Sequence, residues 1–157
     1  MVDYNPELEL SLLPEYECSC KLCRESCEEA PCWGTPMEIE DLINAGYGKY
    51  LAAYTVEPGF YNIANYRGAE CVIVISPARY GHTRLTYKTS IRTSFRGRCV
   101  FLHGQGTKAR CELHDIGLKP VEGRLAHHEI EYDDARMIRC YIIDTWDTDF
   151  GRAIARM

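Results

Sequence analysis

The chain has 157 residues, 46% hydrophobic and 26% charged, with a formal net charge of −5. That length suits one domain and excludes a large enzyme with separate cofactor and substrate halves. No run of ~18 apolar residues suggests a transmembrane helix, and the apolar and aromatic content excludes an intrinsically disordered chain.

The first segment, residues 1–17, is acidic and carries Pro6 and Pro14. It reads as an extended or loosely ordered arm. It lacks the basic stretch and apolar core of a secretory signal, so a cytoplasmic location is expected. Residues 18–34 form a cysteine loop closed by Pro31, Trp33 and Gly34. Thr35 and Pro36 then open a helix: Thr35 is the N-cap, Pro36 fills the first helical position, and Glu38 has the capping-box spacing. Ile39, Leu42 and Ile43 give it one apolar stripe, and Gly46 is its stop. A second short helix is expected through Tyr47–Tyr54.

Glu57-Pro58-Gly59 is a turn, and Cys71–Ile75 is a short buried strand ended by Ser76-Pro77. Arg84–Ile91 alternates weakly, as a strand or an ordered loop. Cys99–Leu102 and Arg110–Leu113 are strand-like pieces around Gly104-Gln105-Gly106, and Gly117 and Pro120 break the next stretch of chain. The last segment is helical, capped by Asp133, with Ala135, Ile138, Ile142, Ile143 and Trp146 at helical spacing and a kink or division at Gly151.

Nine cysteines are the unusual feature: Cys18, Cys20, Cys23, Cys27, Cys32, Cys71, Cys99, Cys111 and Cys140. Five fall within fifteen residues. An odd count, the absence of an export signal and the tight Cys18–Cys20 spacing argue against a disulfide scaffold. Thiolates two to four residues apart converge readily on one soft metal ion or an iron–sulfur cluster. Cys18, Cys20, Cys23, Cys27 and Cys32 are therefore candidate ligands. Cys99 and Cys111 form a second group, and the C-x2-H spacing makes His114 a ligand or a ligand-supporting group. His82 and His103 read as ordinary surface or core histidines. His127 and His128 would point to opposite faces of a strand, which argues against a shared metal.

Charge is unevenly placed. Residues 1–41 hold eleven acidic residues against Lys21 and Arg24, a balance of −9. Residues 71–111 hold no acid and eight bases: Arg79, Arg84, Lys88, Arg92, Arg96, Arg98, Lys108 and Arg110. The two ends either fold onto each other or leave a basic face for nucleic acid or another anionic ligand.

The order of a tight cysteine loop, Trp33-Gly34-Thr35-Pro36, an acidic helix ending Asn44-Ala45-Gly46-Tyr47, then Cys99-Val100-Phe101-Leu102 and Cys111 through Arg124, resembles the YkgJ-type cysteine-cluster family of zinc- or iron-chelating domains. The resemblance covers roughly residues 18–128. It implies that Cys20, Cys23, Cys27, Cys99 and Cys111 are metal ligands. Many members carry a further cysteine where this chain has Gly123, so His114, Cys32 or Cys140 is left to complete the set. Related clusters occur in flagellin lysine methylase, which implies an iron–sulfur cluster, but Gly104-Gln105-Gly106 is too short for a dinucleotide or cosubstrate loop.

The expected architecture is a small α+β domain with irregular cysteine-rich metal-binding loops, a short β core and flanking helices. It has an arm over 1–17, a core over 18–128 and a helical segment over 129–157. The expected function is metal binding, with an iron–sulfur cluster ahead of zinc. The alternatives are a small metal-dependent or redox enzyme, and a zinc-stabilised module that binds nucleic acid or an anionic partner through residues 71–111. No nucleophilic triad is legible around Ser76, Ser90 or Ser94. Two further expectations concern geometry. The first loop and the Cys99/Cys111 hairpin should lie side by side. Arg124 should lie near them, offsetting thiolate charge or pairing with an acid of the first loop such as Glu28 or Glu29.

Overall fold

Asn5 and Pro6 start a helix where the sequence suggested an arm. The Asn5 side chain accepts from the amides of Glu7 and Leu8 at 3.1 and 3.2 Å. Pro6 occupies the first helical position, where its missing N–H costs nothing. The result is α1, Pro6–Ser11, which buries Leu10. The arm reading failed because a proline at a helix start favours the helix that it would break further along.

The computed structural model describes residues 5–15, 31–56, 72–79, 98–104, 109–125 and 132–156. The expected turn at Glu57–Gly59, the Arg84–Ile91 segment, Gln105 and Gly106, and His82, His127 and His128 lie outside the described residues.

Helix α2, Pro36–Asn44, forms as the caps dictate: Glu38 N–H donates to Thr35 Oγ1, and Glu38 Oε1 accepts from the Thr35 amide. Ile39 and Leu42 are buried. Gly46, at φ +94°, reverses the chain out of α2 in the left-handed region that glycine adopts without strain. The helix expected over Tyr47–Tyr54 is only one 3-10 turn, Gly48–Tyr50, followed by strand β1, Leu51–Val56. Tyr54, Thr55 and Val56 are β-formers, and five of the six β1 residues are buried, so packing on both faces selects the strand.

β1 pairs antiparallel with β2, Val72–Pro77, with Leu51 opposite Pro77 and Val56 opposite Val72. Helix α2 and the two C-terminal helices pack on β2. The second sheet is a short hairpin, β3 Leu102–His103 with β4 Arg110–Cys111, in which Leu102 faces Cys111 and His103 faces Arg110. It joins the first sheet through the Arg79–Cys99 bridge and the Val100 amide, which donates to Ala78 O at 2.8 Å. Phe101 packs edge-on against Tyr47 and Tyr50, with ring centroids 5.7 and 5.8 Å away.

After β4 come two short helices, α3 Glu112–Asp115 and α4 Val121–Leu125, and then α5 Tyr132–Trp146 and α6 Asp149–Ala155. Helix α5 begins at Tyr132, so Asp133 lies inside its first turn and not before it. Ile138, Ile142, Ile143 and Trp146 form its buried stripe, and α1 packs against this helix. The chain divides at Asp147–Thr148, where the Thr148 hydroxyl caps α6 by accepting from the Gly151 amide at 3.0 Å. Gly151 therefore sits inside α6 and does not divide the helices. A Cβ there would lie 2.6 Å from the Trp146 Cα, so glycine permits the close approach of α6 to the end of α5.

One hydrophobic core runs from Leu10 in α1 to Ala155 in α6, with Trp33, Tyr54, Phe101 and Trp146 among its largest members. The architecture is a small α+β body with, among the described residues, two two-stranded antiparallel sheets.

Candidate metal centre

Of the eight candidate ligands, Cys18, Cys20, Cys23 and Cys27 lie outside the described residues. Cys32, Cys99 and Cys111 are described, and His114 is placed by its backbone in α3, three residues after Cys111. No disulfide joins any two of the described cysteines.

Cys32 ends the cysteine loop on a rigid mount. Trp33 is fully buried. Its amide donates to Glu122 Oε1 at 2.9 Å, and the Glu122 amide donates to the Trp33 carbonyl at 3.0 Å. The same carboxylate forms a short ion pair with Arg139 Nε. The Arg139 guanidinium also lies over the Trp33 ring, 4.6 Å from its centroid. Glu122 is mostly buried, and burying a carboxylate is costly without a partner of this kind. One residue on, Gly34 O accepts from the Trp146 indole at 2.9 Å.

The next helix extends the mount. Glu38 Oε1 accepts from the Thr35 and Val121 amides, and Oε2 pairs with Arg124 at 2.9 Å. Burial raises the Glu38 pKa, against the opposing pull of these amides and of Arg124. Arg124 Nε also lies 3.1 Å from Glu15 Oε1, an ion pair without hydrogen-bond alignment. Arg124 thus pairs with Glu38 and Glu15, while Glu28 and Glu29 lie outside the described residues.

Residues 32–38 and 120–124 are therefore laced together, and the second segment follows Cys111 closely in the chain. Cys111 is half-buried on β4, and Cys99 is buried in the core. Burial raises the pKa of the nearby Tyr54 phenol, with Arg79 opposing the shift and Cys99 adding to it. Among the described residues, no three His, Cys, Asp or Glu side chains gather as a metal-binding group. The described donors fit a soft metal in part. Cys32 and Cys111 are half-buried thiols on fixed backbone, whereas Cys140 is unsuited. It is fully buried in α5, and desolvation, with Asp144 adding to it, pushes its thiol up to about 11. It is a protonated core residue at neutral pH.

The basic segment is described only in part. Arg98 donates to the carbonyls of Leu102 and Gly104, which helps to close the hairpin. Arg84, Lys88, Arg92, Arg96 and Lys108 lie outside the described residues. His103 is exposed and lies 3.3 Å from Glu112 Oε2, as an ordinary surface histidine would.

Reading the sequence missed Glu122 and Arg139. Glu122 lies within the Cys111–Arg124 stretch but was given no role there, Arg139 belongs to no motif, and they meet Trp33 through the docking of α4 and α5 on the end of the cysteine loop. No helix of the described residues is long and apolar enough to cross a membrane. No family model matches the chain, and neither a curated protein nor a solved structure shows significant similarity to it.

Proposed function

We propose that the chain is a metal-binding protein of the cysteine-cluster type. The thiolates of Cys18, Cys20, Cys23, Cys27 and Cys32 act together with Cys99 and Cys111, and His114 supports or completes the set. The observation that carries this reading is the lacing of Cys32–Glu38 to residues 120–124. It ties the end of the dense cysteine loop to the segment following Cys111, and neither cysteine group alone supplies all the proposed donors.

An iron–sulfur cluster is favoured over zinc by the resemblance to cysteine clusters such as that of flagellin lysine methylase; the thiol count does not decide, because both groups take four thiolates. The bound group would supply the positive charge that lets several thiolates share one loop, and its binding would help to fold that loop; comparable zinc peptides gain ~10–16 kcal/mol. The chain's own residues do the rest. Glu122, held by Arg139, fixes the amide of the Cys32–Trp33 peptide.

The test is the visible spectrum and metal content of protein purified without oxygen. A brown preparation absorbing in the visible supports an iron–sulfur cluster. A colourless one with bound zinc supports the proposal with zinc as the metal. Folded protein that carries neither contradicts it.

A further inference from the structure

The sulfur of Cys32 lies 3.1 Å from the point where a Cβ on Gly123 would stand. Real Cβ atoms rarely tolerate a neighbour that close, so the sulfur occupies space that only glycine leaves open. Gly123 is the middle residue of α4 and its φ is not in the left-handed region. Its backbone conformation therefore does not call for glycine, and alanine is the better helix former. What calls for glycine here is the room beside it, taken by the Cys32 sulfur and the Lys119 side chain, whose Cε lies 2.8 Å from the same point. The neighbouring residue, Glu122, holds Trp33, the residue after Cys32, through two hydrogen bonds, one to its amide and one to its carbonyl.

We propose that the Glu122–Gly123 face of α4 is a seat that positions the Cys32 sulfur for metal binding, with Gly123 as the positioning residue. The inference rests on the metal-binding reading given above. Glu122 sets the direction of the chain at Cys32, Arg139 holds Glu122 against Trp33, and the bare face of Gly123 receives the sulfur. A side chain at position 123 would push the sulfur off the seat without breaking the Glu122–Arg139 pair.

The experiment compares wild type, Gly123→Ala and Cys32→Ser, each purified anaerobically with its native metal. Excess EDTA is added, and retained metal is followed over time by elemental analysis. Thermal unfolding is measured in parallel. Gly123→Ala is expected to melt no lower than wild type when both are metal-free, yet to release metal at least ~10-fold faster, the low end of the effect of disturbing groups that support a metal ligand. Cys32→Ser should also release faster. A purely structural role for Gly123 would instead lower the melting temperature and leave release unchanged.

Release from Gly123→Ala at the wild-type rate overturns the seat while leaving the metal reading intact. So does release from Cys32→Ser at the wild-type rate, because Cys32 would then hold no metal. A double variant, Lys119→Ala with Gly123→Ala, separates the two neighbours of position 123. Its release should stay faster than that of Lys119→Ala alone, and equal rates would assign the effect to Lys119 and overturn the proposal. Wild-type protein that holds no metal would defeat the metal-binding reading itself.

Discussion

The indole of Trp146 donates to the carbonyl of Gly34 at 2.9 Å, across 112 residues of chain. Both groups are buried, so neither has water as an alternative partner. The bond fixes the last turn of α5 to the residue after Trp33, and through it to the end of the cysteine loop. Replacing Trp146 by Phe removes the donor, leaves the Gly34 carbonyl unsatisfied and shrinks the ring. A loss of about 1–3 kcal/mol in denaturant unfolding is expected. An unchanged midpoint would mean that the link contributes nothing.

The sequence reading placed Arg124 beside the cysteine groups, most of which lie outside the described residues. The sequence pointed to acids of the cysteine loop, whereas the partners described are Glu38 in α2 and Glu15 just before the loop. The capping box at Thr35–Glu38 was legible, because it is a local pattern. The second use of Glu38, as acceptor for the Val121 amide 83 residues away, was not. Local signals gave α2, the strand after Cys71 and the α5 stripe. The β1 strand was missed because its residues are buried on both faces and show no alternation. Glu122 and Arg139 were missed because a buried ion pair between distant segments leaves no periodic trace.

Glu38 makes a prediction about sign. Burial raises its pKa despite Arg124, so ionisation costs more in the fold than in the open chain. Its stabilising contribution is present at acidic pH and is lost as pH rises through the raised value. Glu38→Gln should therefore become less damaging, relative to wild type, from about pH 4 to pH 7. A penalty that grows with pH over that range would show that the attraction to Arg124 outweighs burial.

Arg124→Lys keeps the charge but loses the planar fork that reaches Glu38 and Glu15 together. Both pairs are partly exposed and screened, so the expected loss is small, about 0.5–1 kcal/mol. A loss several times larger would mean that Arg124 has a role beyond these two carboxylates.

Cys140 should behave as a core residue. Its thiol titrates at about 11, so native protein at about pH 8 should react with iodoacetamide far more slowly at Cys140 than at half-buried Cys111, once metal is removed. Because the pKa is raised in the fold, the stability it contributes is lost as pH rises through about 11. Cys140→Ala should retain its metal. Rapid labelling of Cys140, or loss of metal from the alanine variant, would place this thiol among the ligands.

The position of the Cys32 sulfur over Gly123 can be trapped covalently in metal-free protein. In a disulfide, with its ~2.0 Å bond, each Cβ lies about 3 Å from the partner sulfur. The spacing of 3.1 Å at Gly123 is close to that distance. Gly123→Cys should form a disulfide with Cys32 under mild oxidation, once the long Lys119 side chain moves aside, and peptide mapping would identify it. Failure to cross-link would contradict the packing of Cys32 on α4.

Metal stoichiometry tests the central claim most directly. Protein purified anaerobically, shown to be folded by circular dichroism, is analysed for iron and zinc per chain. The account predicts about one metal or more per chain, falling sharply when Cys20, Cys23 and Cys27 are all replaced by Ser. Below ~0.2 metal per chain in folded wild-type protein, or an unchanged content in the triple variant, would contradict it, because sites of this affinity do not lose metal casually.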